Sequence, residues 1–191
     1  MSITIQEKVE IFESEIKLIF DKKVKEFVRL CLIQAPDYIF ENCPSSSSGK
    51  FHPIDELGAD GTIIHIKKIV TLAYELSGGF DCVNSRDLIV ASAIIHDLMK
   101  YGPGKGTGHT VKEHPAYGAA LVDEIQEATQ LLTEEQYKII RNCVGYHYGP
   151  WSIDPWKKSI DNYTREEMVV YTADYIVSRR FIDTDYRRKD W

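Results

Sequence analysis

Eight consecutive residues, Leu88-Ile89-Val90-Ala91-Ser92-Ala93-Ile94-Ile95, carry no charge and run directly into the pair His96-Asp97. A segment that is apolar all round belongs inside a protein rather than on its surface. Whatever this chain folds into has to surround that run and take in an imidazole and a carboxylate side by side. Burying both polar groups costs several kcal/mol unless each is paired or bound to a metal.

More residues of the same kind are spaced along the chain: His65 before the pair, then His114, His147 and Asp174. Each falls within or beside a segment that reads as helix. Residues 6–20 repeat apolar side chains at helical period through Val9, Phe12, Ile16 and Ile19, and residues 23–34 continue through Val24, Phe27, Val28 and Leu32. Pro36 disfavours extension of that second helix. Residues 41–60, with a serine run, two prolines and glycines, read as a long ordered loop. A helix from 61 to 76 follows, with Gly78-Gly79 as its stop. Residues 86–98 form the helix that ends in the His-Asp pair. Residues 101–113 hold four glycines and a proline and read as another loop. His114 to about residue 128 is helical, with Pro115 tolerated in the first turn. Thr133-Glu134-Glu135-Gln136 matches a capping box and opens a helix to about His147. After a loop with Pro150 and Pro155, Thr164 caps a last helix over 165–180, with Glu167 three residues on.

No repeat and no strand alternation is visible, so the fold class is all-α. The reading is one helical domain over 1–191, with N-terminal helices in 1–40 and a metal-binding core in 60–180. Side chains converging from facing helices are how a helical bundle assembles a metal site. Taken singly, each histidine is more simply a hydrogen-bonded core or surface residue.

Composition narrows the partners. At 191 residues, 43% hydrophobic and 27% charged, the chain has the make-up of one ordinary globular domain. A net charge of -6 disfavours a broad nucleic-acid-binding surface, while leaving room for a local basic rim around an acidic substrate. Cys31, Cys43, Cys82 and Cys143 form no Cys-x-x-Cys pair and read as free thiols of a reducing compartment. The N-terminus has no apolar signal core, and no apolar run reaches membrane-spanning length. The expected location is cytoplasmic, with no membrane partner. The first two helices either cap the core or form a homodimer face.

The ordered set His65, His96-Asp97, His114, His147 and Asp174 resembles the HD superfamily of metal-dependent phosphohydrolases, the HD domain hydrolases. The family pattern is a His, a His-Asp pair and a distant Asp, and two-metal members insert two histidines before the last Asp. The resemblance spans roughly residues 44–180 and includes the strings Gly61-Thr62-Ile63-Ile64-His65, Glu113-His114-Pro115-Ala116-Tyr117-Gly118, Gly145-Tyr146-His147-Tyr148-Gly149 and Thr172-Ala173-Asp174-Tyr175-Ile176. It implies an HD-domain-like helical bundle holding one or two divalent transition ions (Mn, Fe, Zn or Ni), which imidazole and carboxylate donors suit. His65, His96, Asp97 and Asp174 would make a four-ligand set with room for water. His114 and His147 would complete a second site bridged by Asp97. Two ions ~3.5–4 Å apart can clamp the attacking and leaving oxygens of a phosphoryl displacement.

The resemblance gives Asp97 and Lys100 catalytic roles. Lys100 lies one turn beyond His96, where a lysine is common in the family and could hold a phosphate oxygen; the plainer alternative is charge complementing a helix C-terminus. Four further residues are expected to bind substrate: Lys50, His52, Arg180 and Trp151. Lys50 and His52 belong to Pro44-Ser45-Ser46-Ser47-Ser48-Gly49-Lys50-Phe51-His52-Pro53. That string is no P-loop, because Pro44 stands where the first glycine is needed and Phe51 where Ser/Thr is needed. It is similar to a loop found in a subset of HD proteins. Of the adjacent Arg179 and Arg180, one is expected to face the cleft, and Arg180 is the choice. Trp151, with Tyr146 and Tyr148, flanks His147, where an aromatic could stack a nucleobase. His109 reads as a surface-loop histidine.

The expected activity is metal-dependent cleavage of a phosphoester or phosphoanhydride in a nucleotide or a short nucleic-acid end. A small-molecule nucleotide is favoured over nucleic acid. The rivals are a non-catalytic or regulatory nucleotide-binding HD protein, a 3′–5′ exoribonuclease-like HD protein and, more remotely, a di-iron oxygenase.

Overall fold

Capping residues and apolar periodicity set the elements of the computed structural model, which describes residues 3–46 and 48–182. Among these there are nine α-helices and no strand: α1 (Ile5–Glu10), α2 (Glu13–Lys17), α3 (Lys22–Gln34), α4 (Tyr38–Glu41), α5 (Gly61–Gly79), α6 (Arg86–Ile95), α7 (His114–Thr129), α8 (Glu134–Tyr146) and α9 (Arg165–Val177). Both expected capping boxes form: Thr133 with Gln136 opens α8, and Thr164 with Glu167 opens α9. Each saturates two backbone donors that a helix start leaves unpaired.

The apolar run is the axis of the bundle. Every residue of α6 from Leu88 to Ile95 is buried, and α3, α5, α8 and α9 pack around it. The N-terminal helices cap this core within the chain. Phe12, Ile16, Ile19, Phe27 and Leu32 are fully buried in the same cluster as Ile66, Ile69, Ile89 and Ile94. The four cysteines are buried and unpaired. No helix among the described residues is long and apolar enough to cross a membrane.

Several boundaries differ from the sequence expectation. Residues 6–20 do not form one helix. The chain breaks between α1 and α2 where Phe12 leaves helical geometry (φ -109°, ψ 14°) and drives its ring into the core. The Lys67 ammonium donates to the Ile11 carbonyl at this break. Pro36 does end the preceding helix, but it also starts α4, because its carbonyl accepts from Ile39 N–H. α5 runs through Gly78-Gly79, and α9 stops at Val177. α6 ends at Ile95, not at residue 98. From there Leu98, Lys100 and Gly102 each donate to the carbonyl three residues back, which winds the chain into tighter turns. His96 and Asp97 therefore sit on the turn that leaves the helix.

The loop 41–60 is closed at its base. Cys43 N–H donates to Ala59 O at 2.8 Å, Ser45 N–H to Glu56 O at 2.9 Å, and Thr62 N–H to Cys43 O at 2.8 Å. This closure needs the glycine that starts α5, since a Cβ at Gly61 would lie 2.0 Å from Glu56 O. The loop 101–113 is anchored in a similar way. The Tyr38 hydroxyl donates to Gly102 O at 2.7 Å and accepts from Tyr101 N–H at 3.0 Å.

Candidate metal centre and the cleft above it

Five chain segments deliver six polar side chains to one place. α5 contributes His65 from its second turn, and the turn after α6 contributes His96 and Asp97. The first residue of α7 is His114, the C-cap of α8 is His147, and α9 carries Asp174. Four helix ends and one helix face thus converge beside α6. All four histidines and Asp97 are buried.

The distances divide the set about Asp97. Its Oδ2 lies 3.8 Å from His65 Nε2 and 3.6 Å from His96 Nε2. Its Oδ1 lies 3.4 Å from His114 Nε2 and 3.7 Å from His147 Nε2. Asp174 Oδ1 stands 3.1 Å from His65 Nε2 on the first side. Donor atoms bound at 2.0–2.2 Å to one ion stand about 3–3.5 Å apart; the 3.1 and 3.4 Å spacings fall in that range, and the 3.6, 3.7 and 3.8 Å spacings lie within a few tenths of an ångström above it.

Tautomers support the same reading. Nδ1 of His96, His114 and His147 lies 2.8, 2.7 and 2.6 Å from the carbonyls of Ala93, Val111 and Val144 respectively. A carbonyl only accepts, so in each ring Nδ1 carries a hydrogen and Nε2 is the atom turned to the centre. Nε2 of His114 and Nε2 of His147 face each other at 3.0 Å, a spacing at which one cation could lie against both. His96 Nε2 and Asp97 Oδ1 are buried with no hydrogen-bond partner, an expensive state for polar atoms inside a protein. The residues present fit a divalent metal ion on either side of Asp97.

Electrostatics keep the donors available. Burial opposes charge on Asp97, but the Lys100 ammonium and the surrounding imidazoles hold its carboxyl well below the usual range. Burial pushes His96 down to about 4 and His114 down to about 3, so both are neutral at pH 7. His65 behaves in the opposite way. Burial alone would lower it, yet Glu56 and Asp174 together raise it to about 9. A proton thus stands on His65 where a metal would otherwise neutralise the carboxylates.

Glu56 is the residue that sequence reasoning missed. Its carboxylate is fully buried. Oε2 accepts from His65 Nδ1 at 3.0 Å and from His52 Nδ1 at 2.7 Å, and Oε1 accepts from Lys68 Nζ at 3.0 Å. One signal pointed to it. Lys68 follows His65 by three residues and so shares its helix face, and a lysine facing inward needs a buried carboxylate.

Above the ligands opens a cleft of about 420 Å³. Ser46, Phe51 and His52 line it together with the aromatic side chains Tyr148, Trp151 and Tyr175. Trp151 and Tyr175 are stacked, with ring planes 9° apart and centroids 6.2 Å apart, and both are exposed. His52 and Trp151 therefore stand at the cleft as the sequence suggests. Arg180 does not: it is exposed and off the lining, and its N–H donates to Phe51 O. The arginine at the cleft is Arg179, one residue earlier, because α9 ends at Val177 and the turn swings that side chain inward. Its guanidinium lies 4.4 Å from the Tyr175 ring centroid and 5.5 Å from that of Phe51. Lys50 is also exposed and off the lining, 5.9 Å from the centroid of the Phe51 ring. Lys100 does line the cleft, yet its ammonium is buried and ion-paired with Asp97 Oδ2. His109 is an exposed loop residue with Nδ1 3.2 Å from Thr107 O.

No curated protein and no solved structure matches the chain. A family model, that of the HD domain, matches residues 62–178, more than half of the sequence. That span begins just before His65 and ends just after Asp174, and it leaves His52 and Glu56 outside. With the all-helical bundle and the His/Asp cluster inside that span, the chain belongs to the HD domain family, whose superfamily is one of metal-dependent phosphohydrolases.

Proposed function

We propose that this protein hydrolyses a phosphoester or phosphoanhydride of a nucleotide, or of a short nucleic-acid end, with divalent metal. The observation that carries the reading is the division of Asp97, one oxygen toward His65 and His96 and the other toward His114 and His147, at the floor of an aromatic-walled cleft. His65, His96, Asp97 and Asp174 would hold one ion, and Asp97, His114 and His147 a second. Bound there, divalent ions supply Lewis acidity toward phosphoryl oxygens and lower the pKa of water.

The chain's own residues do the rest. Lys100 neutralises Asp97 and keeps it ionised as a ligand. It acts on the substrate only once that ion pair loosens. Arg179, steadied between two rings, offers a planar cation to a phosphate oxygen at the rim. Trp151 and Tyr175 offer flat faces to a base. The cleft volume suits a small molecule, and the net charge of -6 favours a mononucleotide or dinucleotide over a polymer.

The test is a panel of nucleotides, dinucleotides and oligonucleotides screened with manganese, nickel, zinc and iron. Turnover of at least one member with metal, abolished by chelator, is the expected result. Tight nucleotide binding with no turnover under any metal would replace the proposal with a regulatory binding protein. Processive shortening of oligonucleotides in preference to nucleotides would replace it with an exoribonuclease.

A further inference from the structure

Outside the span matched by the family model, one buried carboxylate stands behind two imidazoles. Glu56 is fully buried, and its Oε2 takes the Nδ1 hydrogens of both His65 and His52, whose ring centroids are 4.9 Å apart. We propose that Glu56 is a positioning residue for the metal centre, fixing His65 as an Nε2 ligand and tying the cleft residue His52 to that same ligand. The proposal rests on the metal-binding part of the reading above.

A carboxylate has no hydrogen to give at neutral pH, so it can only accept from both rings. That acceptance keeps a hydrogen on Nδ1 of each ring, so the nitrogen that metal can take, once it displaces the second proton of His65, is Nε2. The other three candidate ligand histidines hold a hydrogen on Nδ1 through backbone carbonyls three residues back. His65 lies inside α5, where the backbone carbonyls are committed to the helix, so it needs a side chain to do this work. Partners of this kind behind ligating histidines typically change metal affinity 10–100-fold when removed.

The surroundings are built to hold Glu56 rather than merely to admit it. Lys68 donates to its second oxygen and also to Asp55. Its backbone carbonyl accepts from Ser45 N–H, and Gly61 leaves the room that this contact needs. Glu56 therefore joins the loop carrying Ser45, Ser46 and His52 to the metal side, alongside the backbone bonds that Cys43 makes at the base of the loop. His52 and His65 share Glu56 Oε2, so the cleft ring and the ligand ring meet at one atom.

The test titrates the metal-free full chain with Zn²⁺ against a chromogenic chelator. Glu56→Gln keeps the size but replaces one accepting oxygen with an NH₂ group, which cannot accept from both rings and Lys68 together. The expected result is a 10–100-fold weaker first site, while the site of His114 and His147 changes by less than about threefold. Equal affinity at both sites in Glu56→Gln and the unaltered protein would overturn the proposal and leave the metal reading standing. Parallel weakening of both sites would reduce Glu56 to a structural ion-pair partner and also overturn it. Should the unaltered chain take up no Zn²⁺, both readings fall. A second measurement needs no variant: long-range ¹H–¹⁵N spectra of the histidine rings in the zinc-loaded protein. Hydrogen on Nδ1 of both His65 and His52 is expected, and hydrogen on Nε2 of either would overturn the proposal even if Glu56→Gln failed to fold.

Discussion

Asp97 is the single side chain that both halves of the centre share, and its removal separates ligation from folding. Asp97→Ala takes away the oxygen facing His65 and His96 together with the one facing His114 and His147. The variant is expected to lose both ions in a metal titration while keeping the far-ultraviolet signal of the helices. Uptake of even one equivalent with unchanged affinity would contradict the shared role. His147→Ala removes one imidazole from one side only. It is expected to bind about one ion fewer, and unchanged stoichiometry would refute two-sided ligation. The six ligand candidates could be read from the sequence because they follow, in order, the pattern of the HD family: a His, a His-Asp pair, two further histidines and a distant Asp. Glu56 and Arg179 could not. Glu56 lies in a loop with no periodicity to orient it, and the choice between Arg179 and Arg180 turns on where α9 ends, a boundary one turn long.

At the scale of elements, periodicity located the helices and tertiary packing decided their ends. Residues 6–20 have an unbroken apolar repeat, but Phe12 gains more by filling the core than by continuing the helix. Burying a large side chain is worth roughly 1.5–3 kcal/mol, which outweighs one lost helical hydrogen bond at roughly 0.5–1.5 kcal/mol. The loop 41–60 shows the converse case. Its composition signals only the absence of a helix, whereas its shape comes from backbone bonds closing on the start of α5. Gly61 is the joint. A Cβ there would lie 2.0 Å from Glu56 O and 2.9 Å from Ser45 N, both backbone atoms that cannot rotate away. Gly61→Ala is therefore expected to destabilise the protein by about 1–3 kcal/mol, the usual cost of overpacking. It should also weaken the first metal site by displacing Glu56. Chemical denaturation measures the first effect; a melting point equal to that of the unaltered protein would show that the loop closes without this contact.

Over the whole molecule, the metal centre joins α5, α7, α8 and α9 to the end of α6, so binding there stabilises the bundle rather than a local turn. An ion at about 1,000 times its Kd adds roughly 4 kcal/mol to folding, or roughly 8–16 °C for a chain of this length. pH controls how much of that gain is available. His96 and His114 have folded-state values of about 4 and about 3, below the ordinary value of ~6.5 for an unfolded chain. The unfolded chain therefore takes up more protons as pH falls below about 6.5, and metal-free stability declines in that direction. His65, raised to about 9, has the opposite sign. Its contribution is complete below about 6.5 and fades as pH rises through about 9. For these three histidines the opposed slopes favour the metal-free fold most between the two limbs, close to neutral pH. Metal must displace the proton on His65, so calorimetric titration at pH 7.5 in two buffers of different ionisation enthalpy should reveal close to one proton released per first ion bound. No buffer dependence would mean that His65 is already neutral, and the ion pair it forms with Glu56 and Asp174 would then have to be abandoned.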